Sequence, residues 1–210
     1  LFWNDMMCLS MVNHDKRFQR AIQKFDSAHL EDPKKISIGG EKIPWSLHYH
    51  QRMTYWVQHL APEASEPLLL AARSQHIRRW EIPRENYPMD KSGYKRWRKT
   101  LAKFHANEVA KILLEIGYEQ HTVNRLKELL QKIRLKLDPE VQLLEDAICL
   151  VFLENEFSEF AQKHDEKKLI GILQKTWIKM SSKGHQEALA LVKGMPKEDC
   201  ELIQKALESS

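Results

Sequence analysis

Apolar residues recur at intervals of three and four along most of this chain, and that spacing limits the possible folds more than any other feature. In the first such stretch, the apolar face of one helix would carry Phe18, Ala21, Ile22 and Phe25. The chain has only 7 glycines and 8 prolines in 210 residues, which leaves little material for turns and favours long helices. We therefore predict an all-α fold, a single compact domain of about eight helices. Residues 1–10 are predicted to be an extension outside this fold, and residues 11–210 to form the domain.

Proline positions set several of the predicted boundaries. The segment 65–80 predicts a helix that ends near Trp80, since Pro83 disfavours helical geometry at Ile82. Other predicted elements are a helix over 122–135, a helix over 139–164 and a very short strand at residues 36–38.

The cysteines and the hydropathy of the chain indicate its surroundings. Cys8, Cys149 and Cys200 are odd in number and widely spaced, which argues for a reducing compartment and against a disulfide framework. No run approaches the roughly 18 to 20 apolar residues of a membrane span. The sequence therefore predicts a cytoplasmic protein with no membrane partner.

Positive charge is concentrated in one part of the chain. The formal net charge is only +4, but the stretch from Arg73 to Lys103 holds ten Lys or Arg residues and three acidic ones. Such an asymmetry predicts a partner that is anionic: a phosphate-bearing small molecule, a nucleotide or a nucleic acid. The alternative is a solvated basic helix face.

Within that stretch, the sequence "LLLAARSQHIRRWEIPRENYP" ends an apolar helix in a cluster of basic and aromatic residues. If the helix reaches Trp80, then Arg73, His76 and Trp80 share one face. One guanidinium group can donate two parallel hydrogen bonds to the oxygens of a phosphate, and aromatic rings stack on nucleotide bases. The predicted ligand-binding residues are Arg73, Gln75, Arg78, Arg79, Trp80, Arg84, Tyr87 and Arg96. In the alternative interpretation, Glu145 and Asp146 neutralise these arginines in a structural network.

Two carboxylates precede the longest apolar run of the chain. Glu145 and Asp146 come directly before the run 147–153, which covers every side of a helix and predicts a central position for it. A buried carboxylate must be paired, hydrogen-bonded or bound to a metal. Its partner would be an arginine of the basic stretch or a metal shared with His76, at the end of an apolar helix, and His105, in a segment with an apolar stripe. Each of these histidines could instead be a hydrogen-bonded core residue.

The order of these pieces resembles that in the HD-domain superfamily of all-α metal-dependent phosphohydrolases. "LAARSQHIRRW" resembles the helix with the His-Asp pair, "FHANEVAKILLEIG" the segment with a further histidine, and "LEDAICL" the late aspartate segment. The resemblance implies that His76, His105 and Asp146 hold a divalent transition metal (Mn, Fe, Co, Ni or Zn) and that Glu145 is the general base. The sequence departs from the pattern, since Gln75 and His76 stand where His-Asp would be. The first histidine is replaced or shifted, with Tyr49 and His50 as the nearest candidates.

A closer resemblance covers residues 18 to about 191. The segments "RMTYWV", "ASEPLLLAARSQHIRRWEIPRENYPMDKSGYKRWR", "FHANEVAKILLEIGY", "LEDAICLVFLE" and "KTWIKMSSKGHQEALAL" resemble an uncharacterised domain-of-unknown-function family. Its fungal members are sometimes labelled glutamyl-tRNA synthetases. This chain has no HIGH-type signature and no βαβ alternation, and "KMSSK" at 179–183 is only superficially like a KMSKS motif. We predict that it is not a synthetase.

These observations lead to one principal functional prediction and two alternatives. The principal one is an HD-like helical protein that binds a phosphate-bearing small molecule or nucleotide, with metal-dependent hydrolysis as its enzymatic form. The alternatives are a non-catalytic module that binds RNA or tRNA through the 73–103 stretch, and a protein-interaction module that uses the same stretch.

Overall fold

The computed structural model describes residues 16–208, and this range is almost entirely helical, which confirms the predicted all-α class. Residues 1–10, the predicted extension, lie outside the described residues. The elements are α1 (Lys16–Leu30), β1 (Lys35–Ile38), β2 (Glu41–Pro44), α2 (Trp45–Leu60), α3 (Glu66–Ser74), two 3-10 helices (Arg79–Glu81 and Arg84–Asn86), α4 (Lys91–Ile116), α5 (Gln120–Leu130), α6 (Pro139–Asn155), α7 (Phe157–Ala161), α8 (Glu166–Lys179), α9 (Ser182–Val192) and α10 (Lys197–Glu208). Within 16–208, no helix is long and apolar enough to cross a membrane.

Helix α6 lies at the centre of the fold, as its apolar run predicts. Val141, Leu144, Ala147, Leu150 and Val151 are fully buried. The helix contacts α2, α3, α5, α7, α8 and α9. Asp138 begins α6 by accepting hydrogen bonds from the first backbone N–H groups, and Pro139 follows where no donor is needed. Buried residues from α1 to α10 join one continuous hydrophobic core around α6.

The short strand predicted at 36–38 is part of a β-hairpin. Strands β1 and β2 pair in antiparallel fashion, with Ile36 opposite Ile43. Gly39 and Gly40 connect them with φ values of +59° and +89°, a left-handed pair that suits the right-handed twist of a two-residue hairpin. Asp32 accepts hydrogen bonds from the backbone of Lys34 and Ser46 and so fixes the hairpin to the start of α2.

The predicted helix over 65–80 is wrong at its C-terminal end, because α3 ends at Ser74. The backbone N–H of His76 donates to Nε2 of His50 on α2 at 3.0 Å instead of continuing the helix. Arg78 then adopts a left-handed conformation with φ 50°. A tertiary hydrogen bond therefore overrides the helical pattern here, and the face predicted to join Arg73, His76 and Trp80 does not exist.

Two other predicted helices are also shorter than expected. The helix over 122–135 ends at Leu130, and the connection to α6 contains three left-handed residues, Lys132, Arg134 and Lys136. The helix over 139–164 breaks at Glu156, which separates α6 from α7. The break at Glu156 adds one helix and the break after Ser74 is followed by two 3-10 helices, so 16–208 contains more helices than the roughly eight predicted.

Candidate functional site

Two stacked histidines, His29 and His50, lie against the turn that follows α3. The rings of His29 and His50 lie 3.8 Å apart and almost parallel. His29 donates from Nε2 to the carbonyl oxygen of Arg73 at 2.8 Å, and its Nδ1 accepts from the Ser46 hydroxyl. His50 donates from Nδ1 to the Ser46 carbonyl oxygen at 2.6 Å, and its Nε2 accepts from His76. Burial lowers the pKa of His29 to about 4 and that of His50 well below its ordinary value. Both rings are neutral, hydrogen-bonded core residues that hold the turn after α3.

A row of aromatic rings continues from the two stacked histidines. The Tyr49 ring stacks on His76 at 5.2 Å, and His76 lies 5.6 Å from His105 on α4. His105 donates from Nδ1 to the carbonyl oxygen of Ile77 at 2.7 Å, so its Nε2 carries a lone pair. That atom is buried and has no hydrogen-bond partner in the described chain. Burial lowers the pKa of His105 to about 3, which keeps this nitrogen an acceptor.

Two arginines that have no carboxylate partner among residues 16–208 border this row. The guanidinium of Arg79 lies 4.7 Å above the Trp97 ring, and its Nη1 is buried without a hydrogen-bond partner in that range. Arg98 is half-buried on α4 and has no hydrogen bond or salt bridge to any residue in 16–208. Burial and the charge of Arg98 lower the pKa of Arg79. We call His76, Arg79, Arg98 and His105 the Arg–His site.

A buried ion pair lies beside the Arg–His site. Lys132, held in a left-handed conformation, donates to the buried carboxylate of Glu145. Burial alone would raise the pKa of Glu145, but Lys132, Lys179 and Arg98 bring it below its ordinary value. Glu145, the predicted general base, is therefore ionised and paired, which disfavours proton uptake from a substrate.

Asp146 belongs to a different network from the two histidines with which it was predicted to share a metal. Its carboxylate accepts from the backbone N–H of Ser181 at 2.8 Å, from the Ser181 hydroxyl and from the side chain of Gln142 at 3.0 Å. In the described part of the chain, no three His, Cys, Asp or Glu side chains are grouped so that they could hold a metal ion. The structure thus brings His76 and His105 together, but the set completed by Asp146 does not fit a metal.

Comparison with known families bears on these residues. Residues 19–203 match the family model described as a domain of unknown function, DUF4202. The chain belongs to this family. The predicted resemblance to an uncharacterised family is confirmed, whereas no comparison shows the predicted link to the HD-domain superfamily. Neither the curated proteins nor the solved structures contain a match.

Other predicted ligand residues of this DUF4202 chain have structural contacts. Arg73 forms a buried two-point ion pair with Asp26, at 2.6 and 2.8 Å. Arg78 pairs with Glu31 and Glu81 at the surface. Both arginines thus have carboxylate partners, but these are not Glu145 and Asp146, the partners named in the structural alternative.

The remaining predicted ligand residues differ in their contacts and exposure. Arg84 donates to the carbonyl oxygens of Tyr87 and Pro88 and so clips the loop before α4. Arg96 is exposed and forms no ion pair in the described chain. Trp80 and the Tyr87 ring are half-buried, and Gln75 is buried with an Oε1 that has no partner among residues 16–208.

Sequence reasoning missed Lys132. The prediction that Glu145 needs a buried partner was sound, but the partner was sought among the arginines of the 73–103 stretch. Lys132 lies in "QKIRLKL", which looks like the end of an amphipathic helix. The left-handed backbone after α5 directs the Lys132 side chain toward Glu145. No local sequence pattern predicts this conformation.

The contact between Asp146 and α9 makes a testable prediction about packing. A Cβ added at Gly184 would lie 2.7 Å from Oδ1 and 2.8 Å from Cγ of Asp146. We expect Gly184→Ala to lower the free energy of unfolding by about 1–3 kcal/mol because the two helices must move apart. Urea denaturation measures the change. Gly171→Ala in α8, where an added Cβ meets nothing within 4 Å, is the control and should stabilise by about 0.5–1 kcal/mol. Equal effects of the two substitutions would contradict the close contact.

Proposed function

We propose that this chain binds a phosphate-bearing small molecule at the Arg–His site. The observation that carries the proposal is the pair Arg79 and Arg98. The charges of both guanidiniums lower the pKa of the same two histidines, His76 and His105. One guanidinium has a buried N–H without an acceptor in the described chain, and neither forms an ion pair within 16–208. Buried polar groups without partners are rare and call for an explanation. A phosphate supplies the missing acceptors and relieves the repulsion between the two like charges.

The other groups of the site fit the same ligand. His105 offers a buried acceptor nitrogen that a hydroxyl group of the ligand or a protonated phosphate oxygen would satisfy. The half-buried setting strengthens charge-assisted hydrogen bonds relative to those at an open surface. The backbone at Arg78 is left-handed immediately before Arg79, and such conformations cluster where a chain must place a functional group.

Replacing Arg98 tests the proposal. We expect Arg98→Gln to weaken the binding of pyrophosphate and of nucleoside phosphates about 10-fold to 100-fold, because a hydrogen bond to a charged group contributes roughly 1.5–3 kcal/mol. Calorimetric titration with pyrophosphate and with nucleoside phosphates measures the change in Kd. The matched control is Arg96→Gln, which removes the same charge from the same helix at an exposed position and should leave Kd within about twofold.

Equal losses in Arg98→Gln and Arg96→Gln would contradict a localised site. Circular dichroism of both variants confirms that the fold is intact, and Arg98 forms no hydrogen bond or salt bridge within 16–208 whose loss would unfold the chain. Phosphate release from the bound compound, measured before and after treatment with a chelator, decides the hydrolase form of the proposal. No three-ligand metal set is assembled in 16–208. Metal-dependent hydrolysis is therefore a prediction that only this measurement tests.

RNA binding is the second candidate function, and one surface favours it. Lys91, Lys95, Lys99 and Lys103 follow one another at intervals of four on α4, and all are exposed. None of them forms a salt bridge within the described residues. Such a row suits a phosphate backbone. RNA bound there would lose affinity steeply between 50 and 200 mM salt, whereas a ligand held in the Arg–His site would respond much less.

A cytoplasmic location remains part of the proposal. Cys149 and Cys200 are both free thiols. Cys149 lies on α6 and is buried, and burial raises the pKa of its thiol to about 12. Free thiols of this kind are typical of reducing compartments.

A further inference from the structure

A cleft of about 340 Å³ opens between the β-hairpin and the end of α6. Its walls combine aromatic side chains with polar groups. Trp45, Phe152 and Phe160 supply the aromatic surface, and Lys34, Asn155 and Glu156 supply the polar groups. Small-molecule sites have this mixture and begin at about this size.

The cleft and the Arg–His site lie at two ends of one aromatic row. The Trp45 ring stacks on Tyr49 at 5.0 Å, and Tyr49 stacks on His76 at 5.2 Å. The carboxyl group of Glu156, which lines the cleft, acts electrostatically on both Tyr49 and Arg79. Trp45 lines the cleft and His76 belongs to the Arg–His site, so two ring-to-ring contacts join the two regions.

Glu156 differs from the other polar groups of the cleft. Its half-buried carboxyl group has no hydrogen bond or ion pair within 16–208. By contrast, Glu159 pairs with Lys163, and Oδ1 of Asn155 bonds to Nε2 of His48 at 3.1 Å. Burial raises the pKa of Glu156. A donor from a ligand would satisfy this carboxyl group without displacing an internal contact.

We propose that the cleft binds the amino-bearing base of a nucleotide whose phosphate occupies the Arg–His site. The base packs against Trp45 and Phe160, and its exocyclic amino group donates to the carboxylate of Glu156. Adenine, guanine and cytosine carry such a group, whereas uracil does not. This inference rests on the proposed function, since the phosphate contacts are those of Arg79 and Arg98.

Titrations with matched ligands test the role of the base. The probes are AMP, GMP, CMP, UMP and ribose 5-phosphate, which share a phosphate and differ in the base. We expect at least one amino-bearing nucleotide to bind about tenfold more tightly than UMP and ribose 5-phosphate. Glu156→Gln should remove that preference and leave the binding of ribose 5-phosphate unchanged. Glu159→Gln, which changes the neighbouring carboxyl group of the same cleft, is the control and should retain the preference.

The possible failures are distinguishable. If ribose 5-phosphate binds as tightly as every nucleotide, and Arg98→Gln weakens them all, the base site is overturned and the phosphate site stands. Loss of the preference in Glu159→Gln as well as in Glu156→Gln would overturn the specific role of Glu156. Adenosine, guanosine and cytidine are titrated alongside. If they bind as well as their phosphates, depend on Glu156 and are unaffected by Arg98→Gln, the base site is supported while the phosphate site fails.

Discussion

Acidification from pH 7 to pH 5 is expected to lower the free energy of unfolding by about 2 kcal/mol for each of four histidines, three of them buried and one half-buried, whose pKa values are lowered in the folded chain. These are His29, with a pKa of about 4, His105, with a pKa of about 3, and His50 and His76, with pKa values well below the ordinary 6.5. In the unfolded chain each would bind a proton below about pH 6.5, whereas in the folded chain each stays neutral. Their contribution to stability is therefore complete above pH 6.5 and is lost as the pH falls toward 4.

The combined loss approaches the whole stability of an ordinary domain, about 5–15 kcal/mol. Other groups do not cancel it in this pH range. Arg125 lowers the pKa of Asp138 to about 2, so that carboxylate contributes until the pH falls well below 5. Glu156, whose pKa is raised by burial, acts in the opposite direction and offsets one proton at most.

Urea denaturation at pH 7.5, 6.5, 5.5 and 5.0 measures this linkage. Near pH 5.5 the slope should correspond to the uptake of about three protons on unfolding. His121→Gln changes an exposed histidine and should leave the slope unchanged, whereas His29→Gln should reduce it by about one proton. A slope of one proton or less in the unmodified chain would contradict neutral burial of the four rings.

Lys132→Met is expected to lower the free energy of unfolding by about 3–5 kcal/mol, because it leaves the Glu145 carboxylate buried without its principal partner. Lys179 lies 3.8 Å from the same carboxylate and brings the expected loss toward the lower end. The double variant Lys132→Met with Glu145→Met should recover stability to within about 1 kcal/mol of the original chain, since a matched apolar pair can replace a buried ion pair. Urea denaturation at pH 7.5 measures both changes.

The control for this prediction comes from the same connection. Arg134 is also left-handed, with φ 61°, but its side chain is 60% exposed and its ion pairs are long, at 3.7 Å. Arg134→Met should therefore change the stability by less than about 1 kcal/mol. If the double variant is no more stable than Lys132→Met alone, the isolated charge is not the cause of the loss.

The features that could be predicted from sequence are those set by local periodicity. The run 147–153 is apolar on every side, and α6 is accordingly the central helix. Asp138 and Pro139 mark its first residue through backbone chemistry that involves only neighbouring positions. The end of α3 was not predictable in this way, because it depends on His50, which is 26 residues away in the chain.

The same distinction applies to the candidate site. His76 and His105 were predicted to act together, and the structure brings their rings to 5.6 Å. Asp146 was assigned as a metal ligand because the order of the sequence segments resembles that in the HD-domain superfamily. Its actual partner, Ser181, depends on how α9 packs on α6. Which arginines have carboxylate partners was equally hidden, since Arg73 meets Asp26 across 47 residues.

The hydrogen bond from the His76 backbone to His50 also limits which fragments can imitate the site. A synthetic peptide that carries only "LLLAARSQHIRRW" lacks His50, so nothing in it would stop the helix after Ser74. Any helix that it formed would be the continuous one indicated by its local pattern, in which Arg73, Arg78 and Arg79 point in different directions around the axis. Phosphate affinity measured on such a peptide would describe that artificial arrangement, whereas the native one requires α2 and α3 in the same folded chain.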